Sequence, residues 1–179
     1  IRWDGYVVNP AMWDPAFLSF DSIGTLWSFH TEDRRVGNAG FSLRSRRLML
    51  ALLDSAFPVR HPEDDTICRA YRPALEQMGM RFADEVTAAR FSTEIVDTTD
   101  PSFGFHGLFN LWRFVAAGEL DAFLDRLDPR ALTSTPTFTL LAKYAAQRRW
   151  REAASLLRRM PLPPLDVARG LAGVMRTDV

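Results

Sequence analysis

Short apolar runs separated by turn residues make up the first 107 residues of the chain. Residues 6–8, 21–27 and 41–43 are apolar runs of strand length. Stretches with helical spacing lie between these runs, so predicted strands and helices are interleaved. This pattern is typical of an α/β domain, which we predict over residues 1–107.

Three stretches of this domain have the periodicity of short helices. Residues 10–20 carry apolar side chains at helical spacing, and Ser45 can cap a helix that contains Leu48 and Leu53. Residues 66–78 predict a third helix, which Pro73 must kink or restart.

After residue 107 the strand signal disappears. Apolar residues have helical spacing in three stretches, which are residues 108–127, 136–149 and 150–160. A proline-rich break at residues 161–164 precedes a last short helix. The pattern predicts an α-helical subdomain over residues 108–179.

Part of this subdomain, residues 140–157, resembles one helical hairpin of the tetratricopeptide type. A single hairpin is weak support for a repeat fold, because such folds need about three units to be stable. A helical subdomain packed on the α/β part explains the same pattern.

Charge and composition exclude several classes of partner. Lys plus Arg and Asp plus Glu each total 22, so the formal net charge is zero. The sequence therefore lacks the basic footprint of a nucleic-acid-binding protein and a basic tail for anionic membranes. No run approaches the roughly 20 apolar residues that cross a bilayer, so we expect no membrane span.

The cysteine content and the first residue bear on the cellular context. Cys68 is the only cysteine, which excludes an intrachain disulfide and a cysteine zinc site. This usage favours a reducing, cytoplasmic location. Because the sequence starts with Ile1 and shows no signal-peptide pattern, we expect it to begin partway through a longer protein.

Four clusters contain residue types that carry chemistry. They are Trp3-Asp4-Gly5-Tyr6, Gly-Asn-Ala-Gly-Phe-Ser-Leu-Arg-Ser at residues 37–45, His-Pro-Glu-Asp-Asp at residues 61–65, and Phe-Gly-Phe-His-Gly at residues 103–107. Each also has a structural explanation when taken alone. Asp4 fits a turn, Asp64 or Asp65 fits a helix N-cap, and His106 fits a packed core histidine.

The order of the clusters favours a catalytic interpretation. Asp4 and His106 are ligand types suited to Mn²⁺ or Mg²⁺ at strand ends. The glycine-rich run at residues 37–40 permits close approach of the backbone to a ligand, although it would also fit a tight loop entering a strand. A carboxylate of the acidic pair that follows can take a proton from an attacking hydroxyl.

Together these motifs resemble a family of bacterial domains catalogued as of unknown function, for which a type A glycosyltransferase fold is expected. The resemblance covers residues 1–107, and its most specific elements are residues 37–45 and 103–107. The glycine-rich strand followed by Glu63-Asp64-Asp65 is also distantly similar to the acceptor region of β-1,4-galactosyltransferases. The resemblance implies the C-terminal, acceptor-side part of that fold, followed by an all-α tail.

The resemblance implies a role for each matching residue. Asp4 matches the metal-binding acid motif, in which Tyr6 takes the place of the second acid, and His106 matches the histidine that completes the metal site. Asp64 matches the catalytic base, and Glu63 matches the acid that holds the acceptor hydroxyl.

The same resemblance implies a substrate surface on and near the glycine-rich run. Its residues are Trp27, Asn38, Ala39, Gly40, Phe41 and Ser42. Trp27 and Phe41 would stack on sugar rings, and both fit equally well as core residues.

The predicted function is transfer of a sugar from a nucleotide-sugar donor to a saccharide or other hydroxyl acceptor, with inversion and with Mn²⁺ or Mg²⁺. The strands and helices that bind the nucleotide in type A enzymes lie upstream of the acid motif, and only three residues precede Asp4. A non-catalytic scaffold module, with the helical tail as the surface for a protein partner, is therefore the alternative. A metal-dependent hydrolase that uses the same acids is a third interpretation.

Overall fold

In the computed structural model, residues 3–27, 34–94 and 100–177 are described. The chain divides into two units, Ile1–Gly107 and Leu108–Val179. The first unit mixes helices with two small sheets, and the regular elements described in the second unit are helices. The protein is therefore a mixed α/β structure with a helical C-terminal unit.

The first unit contains two separate small sheets. Their strands are β1 (Gly5–Val7), β2 (Ser22–Leu26), β3 (Val36–Arg44), β4 (Ser92–Thr93) and β5 (Gly104–His106). One sheet has the order β1-β5-β4, with β1 antiparallel and β4 parallel to the central β5. The other is the antiparallel pair of β2 and β3.

Strand β3 bulges away from β2 in its middle. Ile23 pairs with Leu43, but Thr25 pairs with Asn38, so β3 uses more residues than β2 over the same stretch. An irregularity of this kind bends the strand and redirects its side chains. The bulge carries Gly40 and Phe41, and the Phe41 side chain is buried in the core.

The helices of the first unit are short. They are α1 (Arg46–Ala51), α2 (Glu63–Asp65), α3 (Arg72–Gln77) and α4 (Glu85–Phe91). The cap predicted for α1 is confirmed, because the Ser45 hydroxyl accepts a hydrogen bond of 3.0 Å from the backbone N–H of Leu48. The helix ends at Ala51, short of Leu53.

Two predicted helices are interrupted at prolines. Residues 10–20 form two 3₁₀ helices, Pro10–Met12 and Pro15–Ser19, each of which begins at a proline. The stretch at residues 66–78 splits into a π-helical turn, Thr66–Ala70, and α3, where Pro73 lies in the first turn. Proline lacks the N–H that would continue a preceding helix, so each element restarts there.

Asp65 occupies the N-cap position of the π-helical turn, but neither Asp64 nor Asp65 begins α2, and the Asp65 side chain makes no capping hydrogen bond. Pro62 occupies the N-cap position of α2, and the acids form its first turn. Acidic side chains remain favourable there, because they interact with the positive end of the helix dipole.

Two apolar clusters support the sheets of the first unit. One, called here the aromatic cluster after its three phenylalanines, contains Phe17, Ile23, Val36, Phe41, Ala83, Ala88 and Phe91. The other contains Trp27, Leu48, Phe57, Ile67, Cys68, Leu75, Met80 and Phe82.

The second unit packs its helices around buried leucines and Tyr144. Its helices are α5 (Leu111–Phe114), α6 (Ala117–Leu124), α7 (Thr135–Ala146), α8 (Trp150–Arg159) and α9 (Pro164–Thr177). Helix α7 packs on α8 and α9, and α6 packs on α8. The helix predicted to be short after the proline-rich break, α9, is 14 residues long. Of the helices in the described residues, none has the length and hydropathy of a membrane span.

Replacing Gly104 in β5 tests the packing of the aromatic cluster. A Cβ at Gly104 would lie 2.3 Å from the Phe41 ring and 2.8 Å from the carbonyl oxygen of Tyr6. We expect Gly104→Ala to lower the free energy of unfolding by about 1–3 kcal/mol, because the core has no room for the added methyl group.

Gly173 in α9 provides the matched control, because a Cβ there meets no atom within 4 Å. Gly173→Ala should be neutral or stabilise its helix by up to about 1 kcal/mol. Thermal unfolding followed by circular dichroism measures both variants. Equal melting temperatures for Gly104→Ala and the unmodified protein would contradict the packing described here.

Candidate functional site

A buried histidine lies between two carboxylates at one edge of the three-stranded sheet. Nδ1 of His106 is 2.6 Å from Oε1 of Glu94, and Nε2 is 3.2 Å from Oδ1 of Asp4. The side chains of Asp4, Glu94 and His106 are 15%, 7% and 9% exposed. The two carboxylates therefore approach opposite sides of one imidazole ring.

The sheet topology explains how residues so distant in sequence meet. Asp4 precedes β1, whose first residue Gly5 pairs with His106, and Glu94 directly follows β4. Because β4 is parallel to β5 and β1 is antiparallel, the end of β4, the end of β5 and the start of β1 share one edge. Gly107 follows β5 at this edge, and its N–H donates a hydrogen bond of 3.0 Å to the carbonyl oxygen of Asp4. Its φ of 97° is a conformation that glycine adopts readily.

Gly40 in the bulge of β3 covers the imidazole ring. A Cβ at Gly40 would lie 2.1 Å from Nε2 of His106, far inside van der Waals contact. The sequence assigned Gly40 to substrate contact, but the structure places the histidine ring against it. Glycine is required here because only a bare backbone can come so close to the ring.

The electrostatics of the site favour the protonated imidazole. Burial by itself would lower the pKa of His106, but the interactions with Asp4 and Glu94 outweigh it and raise the pKa to about 9. The nearby phenol responds to the same surroundings, since burial and the charge of Asp4 raise the pKa of Tyr6.

The two nitrogens of His106 have different surroundings. A histidine that binds a metal ion through one nitrogen commonly donates its other N–H to a carboxylate, which fixes the ring. Glu94 on Nδ1 matches that orienting role, and Nε2 then lies on the same side of the ring as Asp4. Among residues 3–27, 34–94 and 100–177, no three His, Cys, Asp or Glu side chains converge as ligands for one ion. Asp4 and His106 are therefore two neighbouring candidate ligands rather than a complete set.

The acidic run at residues 63–65 lies beside β3, where arginines engage two of its three side chains. Arg44 at the end of β3 donates to Glu63, and Arg69 lies 3.3 Å from Asp65. The Asp64 carboxylate accepts a hydrogen bond of 3.0 Å from the N–H of Asp65 and is half-buried. The three acids therefore differ in their partners, although they are adjacent in sequence.

The two rings predicted to stack on sugars are core residues. Trp27 is 3% exposed in the cluster with Leu48 and Cys68, and Phe41 is 2% exposed beside Phe91. A buried ring offers no face to a sugar, so the core interpretation replaces the stacking role of both residues. Ser42 is half-buried in β3. The side chains of Asn38 and Ala39 lie outside the described structure.

The sequence assigned no role to Glu94 or to Cys68. Glu94 follows a two-residue strand that carries no apolar pattern, so its place at the sheet edge depends on pairing with β5. Cys68 is fully buried behind Gly37, where a Cβ would lie 2.4 Å from the Cys68 Cβ. Burial raises the pKa of this thiol to about 11, so it stays protonated near neutral pH. Gly37 and Gly40 thus leave room for the buried side chains of Cys68 and His106.

The contact between Gly40 and His106 predicts a non-additive pair of mutations. Gly40→Ala should lower the free energy of unfolding by about 1–3 kcal/mol, because the new methyl group overlaps the imidazole ring. In the Gly40→Ala/His106→Ala double variant the imidazole ring is absent, so the overlap cannot occur. The double variant should therefore lose about 0.5–3 kcal/mol less free energy of unfolding than the two single variants lose together. Chemical denaturation of the four proteins measures this cycle, and strictly additive costs would show that the contact is absent.

Comparison with known proteins concerns the part of the chain that contains this site. The family described as "Protein of unknown function (DUF5672)" matches residues 1–106, which include β1 to β5 and the residues around His106. No curated protein and no solved structure matches the chain. Because the match covers more than half of the chain, the protein belongs to the DUF5672 family.

Proposed function

We propose that this protein transfers a sugar from a nucleotide-sugar donor to a hydroxyl acceptor, with Mn²⁺ or Mg²⁺ held by Asp4 and His106. In this proposal, residues 1–107 are the acceptor-side part of a type A glycosyltransferase-like fold. The observation that carries it is the approach of Asp4 to Nε2 of His106, while Glu94 occupies Nδ1 of the same ring.

The distance between these two atoms supports a shared cation. Two adjacent ligands that each lie about 2.1 Å from Mg²⁺ in octahedral geometry are about 3 Å apart. Oδ1 of Asp4 and Nε2 of His106 are separated by 3.2 Å. Because a histidine binds a metal ion through an unprotonated nitrogen, a cation there would take the place of the proton on Nε2. It would then neutralise the negative charge that develops on the diphosphate leaving group.

Glu94 and Gly40 act on the site through His106. The Glu94 carboxylate fixes which nitrogen of the imidazole faces Asp4, and the backbone at Gly40 packs against the ring. Both contacts reduce the freedom of a side chain that must hold one position during catalysis.

Asp64 is the residue that we assign as general base. Its carboxylate would take the proton from the acceptor hydroxyl as the acceptor oxygen attacks the anomeric carbon. Attack on the face opposite the leaving diphosphate inverts the anomeric configuration. Glu63 is held by Arg44, and in the proposed site its carboxylate would hold the acceptor hydroxyl beside Asp64.

The cation half of the proposal is tested by thermal unfolding of the full-length protein with nucleoside diphosphates, with and without Mn²⁺. We expect the nucleotide and Mn²⁺ together to raise the melting temperature, because a ligand that binds only the native state stabilises it. Asp4→Asn and His106→Asn should abolish the shift. Glu94→Gln should weaken Mn²⁺ binding about 10- to 100-fold, because it alters the group that orients the ligand.

Glu119→Gln, a change at an exposed acid in the second unit, is the control and should leave the shift intact. A shift that survives in Asp4→Asn would remove Asp4 from the site. The absence of any shift for the unmodified protein with every nucleoside diphosphate would contradict the donor class.

The base is tested by a matched pair of variants in the acidic run. Asp64→Asn keeps an oxygen that can accept the hydrogen bond from the N–H of Asp65, so the protein should fold normally. It removes the base and should lower kcat by about 10²- to 10⁴-fold, with donor binding unchanged. Asp65→Asn should retain activity, because the proposal gives that acid no role in proton transfer. A near-normal kcat for Asp64→Asn would contradict the mechanism.

A further inference from the structure

A groove lies between α6 and α8 of the helical unit. Its volume is about 700 Å³. The groove is lined by Gly118 and Asp121 of α6 and by Trp150, Arg151, Glu152, Ala154, Ser155 and Arg158 of α8.

The lining of the groove contains two acids and two arginines, and the two kinds of residue differ in their ion pairs. Asp121 lies 2.9 Å from Arg159, which is shared with Asp125, and Glu152 lies 2.7 Å from Arg149, so arginines outside the lining already engage both acids. No carboxylate in the described part of the chain pairs with the two arginines of the lining, Arg151 and Arg158.

Trp150 adds an exposed aromatic surface at one end of the groove. Its side chain is 63% exposed, and Leu157, two helical turns further along α8, is 43% exposed. Tryptophan and arginine are the residue types most enriched among those that dominate binding energy at protein interfaces. Their combination beside a groove is typical of a recognition surface.

We propose that this groove binds an extended peptide segment with acidic side chains, supplied by a partner protein. Arg151 and Arg158 are seven residues apart in one helix, which is about 10 Å along its axis. In the polyproline II conformation three residues span about 9 Å and return the side chain to the same face, so two acidic side chains at that spacing can meet both guanidinium groups. An apolar side chain beyond the first acid would cover the Trp150 ring.

The spread of positive charge favours a peptide over a compact anion. A single phosphate or carboxylate can be bound by one guanidinium group. Arg151 and Arg158 instead lie at successive positions along the groove, so a longer ligand is needed to contact both. The inference does not depend on glycosyl transfer, because none of its residues belongs to the first unit.

Gly118 allows a steric test that spares the fold. A Cβ at this position meets no atom within 4 Å, so a larger side chain can enter the groove without a clash. Gly118→Gln should therefore obstruct the groove while the helices keep their packing. Gly118→Ala adds only one methyl group and serves as its control.

The experiment is selection of binders to the full-length protein from a random peptide library, followed by fluorescence anisotropy with the enriched peptides. We expect enriched peptides to carry two acidic residues about three positions apart together with an apolar residue. Arg151→Gln and Arg158→Gln should each weaken binding about fivefold, and Trp150→Ala about tenfold or more. Gly118→Gln should abolish binding, and Gly118→Ala should preserve it.

Arg176→Gln in α9 is the control for the loss of one positive charge and should bind like the unmodified protein. The melting temperature of each variant shows whether weaker binding results from the loss of a binding contact or from unfolding. The proposal is overturned if enriched peptides are not acidic, or if their binding survives the Arg151→Gln/Arg158→Gln double variant. Binding of a free nucleotide in the groove, without any acidic peptide, would overturn it as well.

Discussion

The contact on which the first unit depends is the burial of the His106 ring between Asp4 and Glu94. Charged groups lose hydration when they are buried, so such a cluster is tolerated only where its members compensate one another at short range. Loss of either carboxylate would leave an unbalanced group inside the protein. The start of β1 and the ends of β4 and β5 must therefore stay at one edge of the sheet, although only five residue pairs of the described structure form its two ladders.

The same constraint explains the irregular path of β3. Its backbone must reach the imidazole ring at Gly40 and also pair with β2 on either side of that point. A regular strand cannot do both, and the bulge resolves the conflict. The next residue, Phe41, then enters the aromatic cluster and packs where Gly104 leaves space for its ring. The glycine-rich run is thus shaped by buried side chains on both sides of the strand.

Features that depend on neighbouring residues were readable in the sequence. The Ser45 cap, the strands around residues 21–27 and 41–43, and the helical character after residue 107 all follow from local propensity and periodicity. The bulge of β3 and the position of Glu94 depend on strand pairing between distant residues, which periodicity does not encode. The sequence also could not separate a buried ring from a sugar-stacking ring at Trp27 and Phe41, since an aromatic residue near a strand fits either place.

The acidic run shows why residue type alone is insufficient to assign a catalytic role. Glu63, Asp64 and Asp65 are interchangeable in the sequence as candidate bases, yet each carboxylate has a different partner in the structure. Guanidinium groups already engage Glu63 and Asp65, and the contact described for Asp64 is with a backbone N–H. A base must offer one oxygen to the hydroxyl proton while its other contacts hold it in place. The arginines supplied by β3 and by the π-helical turn after α2 therefore distinguish acids that the residue types alone leave alike.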